Sequence, residues 1–273
     1  MTSLLAWVGV DSRGPSSCYL ASDSRISWGE DTYFDCGRKL FTCAHSADLF
    51  GYCGDVLFPS LLLSQISELI DRQSIVGEAV LRHAALLSLA KTSFENYPES
   101  QRRAFTILHG TRNSTGMSSS FHLWRTDWSP TTSWLDQEID LPASSAIILA
   151  IGTGKNAIAS NDALWRQSEV GRTSRAVFSA FCDSLQSGED HYSGGAPQLV
   201  GLYRTGAGET IGAIYRGARF LLGVPVTMAE ADLMDVEWRD ELFERCDGSS
   251  MKLLQGAQRH ARPERPWKNG KGS

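Results

Sequence analysis

The chain has 273 residues, of which 42% are hydrophobic and 21% charged, and its formal net charge is −5. That length fits one large domain or two small ones, and the apolar fraction is enough for a sizeable core. The acidic balance argues against nucleic acid as the main partner, because phosphate binding needs a basic surface.

The six cysteines are scattered along the chain. None forms Cys-x-x-Cys, no Cys/His set has zinc-finger spacing, and single cysteines are typical of a reducing compartment. The N-terminus lacks the pattern of a signal peptide, and no apolar run reaches the roughly 18–20 residues of a membrane helix. We therefore expect a cytoplasmic protein without a membrane partner, a metal or a cofactor.

In the first half of the chain, short strands precede two helices. Alternating or continuous apolar runs bounded by turn residues predict strands at four places: 4–10, 17–21, 39–43 and 48–53. Amphipathic spacing predicts helices over 55–71 and 76–95, and Pro98 ends the second one.

The second half repeats this order of strands, helices and strands. Strands are predicted at 104–109, 119–124, 133–139 and 146–151, helices near 157–169 and 174–185, and further strands at 198–203, 210–214 and 220–222. From residue 228 to about 260 the pattern becomes helical and charged. Residues 261–273 are polar and rich in Pro, Gly and Lys, which is typical of a disordered tail.

This element order predicts an α+β fold in which two antiparallel sheets pack face to face with helices outside them. We find no internal repeat and no domain boundary before residue 227. The expected organisation is a main domain over 1–227, a helical extension over 228–260 and a tail over 261–273.

Thr2 follows the initiator methionine directly. An N-terminal threonine combines a hydroxyl nucleophile with an α-amine whose pKa is about 7.7–8.0, so one residue supplies both nucleophile and base. Because a small second residue suits methionine aminopeptidase, and no propeptide is expected, removal of Met1 would expose this residue.

Five stretches occur in an order that carries a resemblance. They are Ala21–Arg25, Lys39 sixteen positions after Asp23 and followed by Leu-Phe, Gly51–Asp55, Gly152–Gly154, and Asp190–Gly195. Over residues 2–226 the chain resembles the proteasome β-subunit family, including the bacterial proteasome-like peptidases, which are N-terminal-nucleophile hydrolases.

The resemblance implies a four-layer αββα sandwich and a threonine-type peptidase that forms an acyl-enzyme on Thr2. It implies catalytic roles for seven residues: Thr2, Asp23, Lys39, Gly51, Thr153, Asp190 and Ser193. The family lines its substrate pocket at the positions of Ile26, Leu49 and Cys53. Thr153 stands where the family has serine.

The resemblance also implies partners. They are a peptide or protein substrate, further copies of the chain in a ring, and a separate ATPase or regulator, since the chain has no nucleotide motif. A catalytically silent ring subunit with a structural or gating role is the alternative. Taken singly, Asp23 and Arg25 could be a strand-end salt bridge, and His191 could be a base or a plain loop residue.

Overall fold

A computed structural model describes residues 2–29, 31–233 and 235–263. It has five α-helices in the described part of the chain: α1 Leu57–Asp71, α2 Ala79–Glu95, α3 Lys155–Trp165, α4 Ser174–Ser187 and α5 Met228–Leu233. None of these helices is both long and apolar enough to cross a membrane.

Sixteen strands lie in the described residues. They are β1 Ser3–Asp11, β2 Gly14–Ser22, β3 Ile26–Trp28, β4 Thr32–Phe34, β5 Leu40–Thr42, β6 Asp48–Gly54, β7 Phe105–Asn113, β8 Ser120–Ser129, β9 Ser133–Glu138, β10 Ala146–Gly152, β11 Gln198–Tyr203, β12 Glu209–Tyr215, β13 Ala218–Leu221, β14 Val224–Val226, β15 Trp238–Asp240 and β16 Arg245–Cys246.

The strands form two large sheets and one small hairpin. The nine-stranded sheet has the order β10-β1-β2-β11-β12-β13-β14, with β15 beside β12 and β16 beside β15. The five-stranded sheet has the order β5-β6-β7-β8-β9, and β3 pairs only with β4. All ladders are antiparallel except β12 with β15.

Three apolar clusters hold these elements together. One packs the nine-stranded sheet against α3 and α4, including Trp7, Leu199 and Phe178. A second contains side chains of both large sheets, such as Leu4, Leu20, Leu49 and Leu108. The third packs the five-stranded sheet against α1 and α2, including Phe50, Leu63 and Leu86. Burial of such side chains is worth roughly 1.5–3 kcal/mol each before the entropy cost of folding.

The predicted helices and strands before residue 227 are present, with shifted ends. The hairpin β3–β4 and the strand β14 were not predicted. The first hairpin is tighter than expected, because β1 and β2 extend to Asp11 and Gly14 and leave two residues between them.

Residues 228–260 do not form the expected helical extension. Among the described residues of this range, only Met228–Leu233 is helical, and β15 and β16 then join the nine-stranded sheet. The reason is tertiary packing, since the indole of Trp238 is buried and lies against Gly212 in β12. Of the predicted tail, residues 264–273 lie outside the described residues, while Arg262 pairs with Asp183 and with Glu241.

Candidate active site

Lys39, Thr2 and Asp23 meet in a buried site between the two large sheets. Lys39 Nζ donates to Thr2 Oγ1 at 2.9 Å and to Asp23 Oδ1 at 2.7 Å. Lys39 and Asp23 have no exposed surface, and Thr2 exposes 2%. An ammonium placed this way stabilises negative charge on the threonine oxygen, because a buried charge is poorly screened.

The chain positions each member by a strand end. Thr2 precedes β1, Asp23 follows β2, its neighbour in the sheet, and Lys39 precedes β5 of the five-stranded sheet. Because Leu4 pairs with Ser22, Thr2 and Asp23 lie at the same end of the two neighbouring strands.

The Asp23 carboxylate is fixed by backbone donors. Besides Lys39, its Oδ1 accepts the N–H of Ser3 at 2.9 Å, and its Oδ2 accepts those of Arg25 at 3.1 Å and Gly194 at 3.0 Å. Four donors on two oxygens leave the carboxylate little freedom to rotate. Lys39 is therefore aimed at Thr2 by a rigid partner.

A second group of hydroxyls and one carboxylate lies beside Ser3. Ser3 Oγ is 2.7 Å from Ser193 Oγ, and Ser193 Oγ donates to Asp190 Oδ2 at 2.6 Å. Thr153 Oγ1 donates to the same Asp190 oxygen at 2.7 Å. The structure thus brings together Asp190, Ser193 and Thr153 next to the N-terminal strand. Sequence reasoning missed Ser3, whose only signal was a hydroxyl directly after Thr2.

The turn Gly152–Thr153–Gly154 lies against the first two described residues. A Cβ on Gly152 would overlap the carbonyl oxygen of Thr2, and Gly152 has φ +93°, a conformation that favours glycine. A Cβ on Gly154 would overlap Ser3 Oγ and lie 3.0 Å from Ser193 Oγ. Both glycines are therefore required by the close approach of this turn to the N-terminal strand.

The remaining predicted residues lie at different depths. Gly51 pairs with Leu40 in the sheet, and a Cβ on it would come within 2.8 Å of that leucine. Cys53 lies beside the Gly152 turn, its Sγ 3.2 Å from the position of that glycine's missing Cβ. Ile26 is partly exposed at the start of β3. Leu49 has no exposed surface and belongs to the core between the sheets, so it does not line an open pocket.

The Cys53 thiol is not suited to act as a nucleophile. Burial raises its pKa, with only partial compensation from the nearby Lys39 charge. Because the thiolate is the reactive form, a raised pKa makes a cysteine inert. Cys53 therefore acts as a small apolar side chain at this place.

Arg25 ties the hairpin β3–β4 to the loop that carries Asp190 and Ser193. Its guanidinium makes two hydrogen bonds to Asp35, at 2.7 and 2.9 Å, and donates to the carbonyl of His191 at 2.9 Å. It also covers the ring of Tyr33. Its side-chain partner is Asp35, while Asp23 accepts only its backbone N–H. The His191 side chain is exposed, and its ring packs edge-on against Tyr192.

Within residues 2–29, 31–233 and 235–263, no group of three or more His, Cys, Asp or Glu side chains is arranged to hold a metal ion.

The arrangement around Thr2 offers a hydroxyl, a cationic donor and a set of hydrogen bonds, which together suit acyl transfer to an oxygen nucleophile.

No family model matches the chain, and no curated protein matches it. The crystal structure of eukaryotic HslV from Trypanosoma brucei is similar with a TM-score of 0.46 and 14% sequence identity, and the match covers 73% of this chain and 99% of that one.

Proposed function

We propose that the chain is an N-terminal threonine hydrolase that cleaves peptide bonds, with Thr2 as nucleophile once Met1 is removed. The observation that carries the proposal is the position of Lys39, whose ammonium donates to both the Thr2 hydroxyl and the Asp23 carboxylate. The two sheets with their flanking helices would then be the four-layer αββα sandwich of an N-terminal-nucleophile hydrolase.

Removal of Met1 would give Thr2 a free α-amine with a pKa of about 7.7–8.0. This amine takes the proton of Oγ1 as Oγ1 attacks the carbonyl carbon of the peptide bond. The C–N bond then breaks, the proton passes to the leaving nitrogen, and an ester remains on Thr2. The same amine then takes a proton from a water molecule, whose oxygen attacks the ester carbon. The bond from that carbon to Oγ1 breaks, the carboxylic acid leaves, and the amine returns the proton to Oγ1.

The neighbouring residues divide the supporting work. Lys39 stabilises the developing alkoxide, and Asp23 holds Lys39 in place. The N–H of Gly51 is assigned to the oxyanion, where one such donor is worth about 10²–10³ in rate. Asp190, Ser193 and Thr153 orient the N-terminal residue through the Ser193–Ser3 hydrogen bond.

The substrate preference follows from the side chains that the family resemblance assigns to the pocket beside Thr2. Ile26 and Cys53 are uncharged, and burying an unpaired charge against them would cost several kcal/mol. We therefore propose a preference for an apolar side chain before the scissile bond. Substrates would be peptides or unfolded proteins delivered by a separate ATPase to a ring of identical chains.

A catalytically silent subunit is the alternative, and no contact between the described residues favours it. A silent subunit has no physical need for a buried lysine between a hydroxyl and a carboxylate, because such a pair adds little stability. Retention of Met1 in the protein isolated from its cell would favour this alternative.

The experiment compares three chains that begin at residue 2, released from an N-terminal fusion: wild type, Thr2→Ala and Thr2→Ser. Wild type should hydrolyse fluorogenic peptides and form an adduct on Thr2 with a threonine-reactive electrophile, mapped by mass spectrometry. Thr2→Ala should fold and lose both properties, and Thr2→Ser should keep part of the activity. Equal hydrolysis by wild type and Thr2→Ala would refute the proposal.

A further inference from the structure

Gln198 is a buried amide that no part of the proposed mechanism uses. It is the first residue of β11, where its backbone pairs with Ser22, the residue before Asp23. Its side chain has no exposed surface and reaches the segment that leads into β5 of the other sheet. It is thus a link between the two sheets at the edge where Thr2 lies.

The amide oxygen holds the backbone at Lys39. Gln198 Oε1 accepts the N–H of Lys39 at 3.0 Å and that of Leu40 at 3.3 Å. Backbone N–H groups are donors only, so the atom facing them must be the oxygen, and the orientation of the amide is fixed by this network.

The amide nitrogen holds the backbone at Asp23. Gln198 Nε2 donates to the carbonyl of Gly37 at 2.7 Å, to Ser24 Oγ at 3.1 Å and to the carbonyl of Asp23 at 3.3 Å. The Ser24 hydroxyl already donates its proton to the carbonyl of Ala196 at 2.6 Å, so it can only accept from Gln198. All three atoms facing Nε2 are acceptors.

We propose that Gln198 is a positioning residue for the Lys39–Asp23 pair. One side chain fixes the backbone of both members, and thereby sets the distance from the Lys39 ammonium to the Thr2 hydroxyl. An amide suits this place because its oxygen accepts from two N–H groups, and its two N–H bonds serve the three acceptors, two of which share one hydrogen. This inference rests on the proposed function, in which Lys39 acts on Thr2.

The first test needs no substitution and no activity. Amide hydrogen exchange of the wild-type chain, followed by NMR, should show slow exchange at Lys39 and Leu40, since both N–H groups are buried and bonded to Gln198. We call the hydrogen bonds from the Gln198 side chain to the backbone at Lys39 and Asp23 the clamp. Rapid exchange at the Lys39 and Leu40 amides, with neighbouring strands protected, would show that the clamp does not exist.

The second test uses two substitutions in the chain that begins at Thr2. Gln198→Met keeps the length of the side chain and removes every hydrogen bond, and a misplacement of about 1 Å can cost about 10²-fold in rate. We expect kcat to fall by about that factor while KM changes little. Gln198→Glu keeps the acceptor and should retain more activity than Gln198→Met. Its activity relative to wild type at the same pH should increase towards acidic pH, as the carboxyl group gains a proton to donate.

The matched control is Asn113→Ala. Asn113 lies at the end of β7, and its Oδ1 accepts the N–H of Ala79. Its substitution therefore removes a comparable hydrogen bond from a side-chain amide to the backbone, away from Thr2. This variant should lose stability and keep the wild-type kcat.

Two outcomes overturn the positioning role: a folded Gln198→Met variant with wild-type kcat, or a loss of activity that only follows the folded fraction, as measured by urea unfolding. Absence of any Thr2-dependent hydrolysis in wild type would instead refute the proposed function, and the positioning role with it, while the exchange experiment would still decide whether the clamp exists.

Discussion

Lys39 is a charged side chain without exposed surface, and its two partners explain how the fold tolerates it. A buried ion pair contributes little net stability, because desolvation of both charges offsets their attraction. Removing one partner is costly, since about 3–5 kcal/mol is lost when a buried charge is left alone. The pair with Asp23 is therefore poor at stabilising the fold, which supports its proposed role beside Thr2.

The approach of Gly154 to Ser3 gives a prediction at the residue scale. Gly154→Ala should reduce the free energy of unfolding by about 1–3 kcal/mol, because the new methyl group overlaps Ser3 Oγ. Its φ of −78° suits alanine. The loss therefore comes mainly from this overlap, with a smaller part from Ser193 Oγ at 3.0 Å from the new methyl group. Urea unfolding measures the change, and hydrolysis by the chain that begins at Thr2 should fall with it.

The double variant Gly154→Ala/Ser3→Ala provides the control, since it removes the hydroxyl that the methyl group meets. The double variant should lose less free energy of unfolding than the sum of the losses of the two single variants, because the effects of substitutions at residues in contact are not additive. Strict additivity would mean that Gly154 and Ser3 are not in contact.

The family resemblance, carried by the order and spacing of the motifs, made the contact of Asp23 with Lys39 predictable, along with that of Asp190 with Ser193. Ser3 and Gln198 were not predictable, since their importance depends on which atoms the fold brings to them across 190 and 159 positions of sequence. Leu49 was predicted at a pocket wall, but its side chain packs between the sheets. Sequence position alone does not give the depth of a side chain.

At the scale of elements, the periodic segments were predictable and the short ones were not. Helices α1, α2 and α4 and strands β6 and β11 have clear apolar patterns. The hairpin β3–β4 consists of two three-residue strands without such a pattern. The charged stretch after residue 228 has helical spacing, yet burial of Trp238 against Gly212 draws it into the sheet. Tertiary packing overrode local propensity there.

A buried polar network joins α2 to the five-stranded sheet. Asp48 in β6 accepts from Arg82 of α2 and lies 2.9 Å from His109 Nε2 in β7, and the His109 and His83 Nδ1 atoms are 3.0 Å apart. His83 also faces Asp136 of β9. Thr111, Thr126 and Ser46 also hydrogen-bond to members of this network. Arg112 interacts electrostatically with Asp48 and Arg82, and Lys91 with Asp136.

This network gives a pH dependence of known sign. Burial lowers the pKa of His109, although Asp48 opposes the shift. Burial alone would raise the pKa of Asp48, but His109, Arg82 and Ser46 outweigh it and hold this pKa well below its usual range. A group whose pKa is lower in the folded than in the unfolded state stabilises the fold at pH values above its unfolded pKa. This stabilisation is lost as the pH falls. For His109 the loss begins near pH 6.5, the ordinary histidine value.

We therefore expect the free energy of unfolding, from urea titrations between pH 7.5 and 5, to fall on acidification. In His109→Gln the decrease in the free energy of unfolding per pH unit should be smaller than in wild type. The decrease that remains comes from His260, whose pKa is also lowered by burial. His45→Gln, at an exposed position, is the control and should keep the wild-type slope. An unchanged slope in His109→Gln would contradict the assignment.

At the scale of the whole molecule, the hairpin β3–β4 presents large apolar side chains beside the candidate active site. By the register of the two strands, Trp28 and Phe34 share one face with Ile26, and they expose 58% and 50% of their surface. Contiguous exposed apolar surface is typical of an interaction site. The proposed ring of identical chains would cover such a surface.

The last prediction tests that assembly. Wild type should sediment at micromolar concentration as a species larger than the 29.9 kDa chain. Trp28→Ser/Phe34→Ser should shift the population towards the single chain, because loss of buried apolar area weakens association by about 25 cal/mol per Å². Met117→Ser is the control, since Met117 is 61% exposed and lies in a separate turn after β7. It should leave the sedimentation pattern unchanged. If wild type sediments only as a single chain, the ring is excluded. The exposed aromatic face would then be tested for contact with substrate, and the same double variant should hydrolyse the fluorogenic peptides more slowly than wild type.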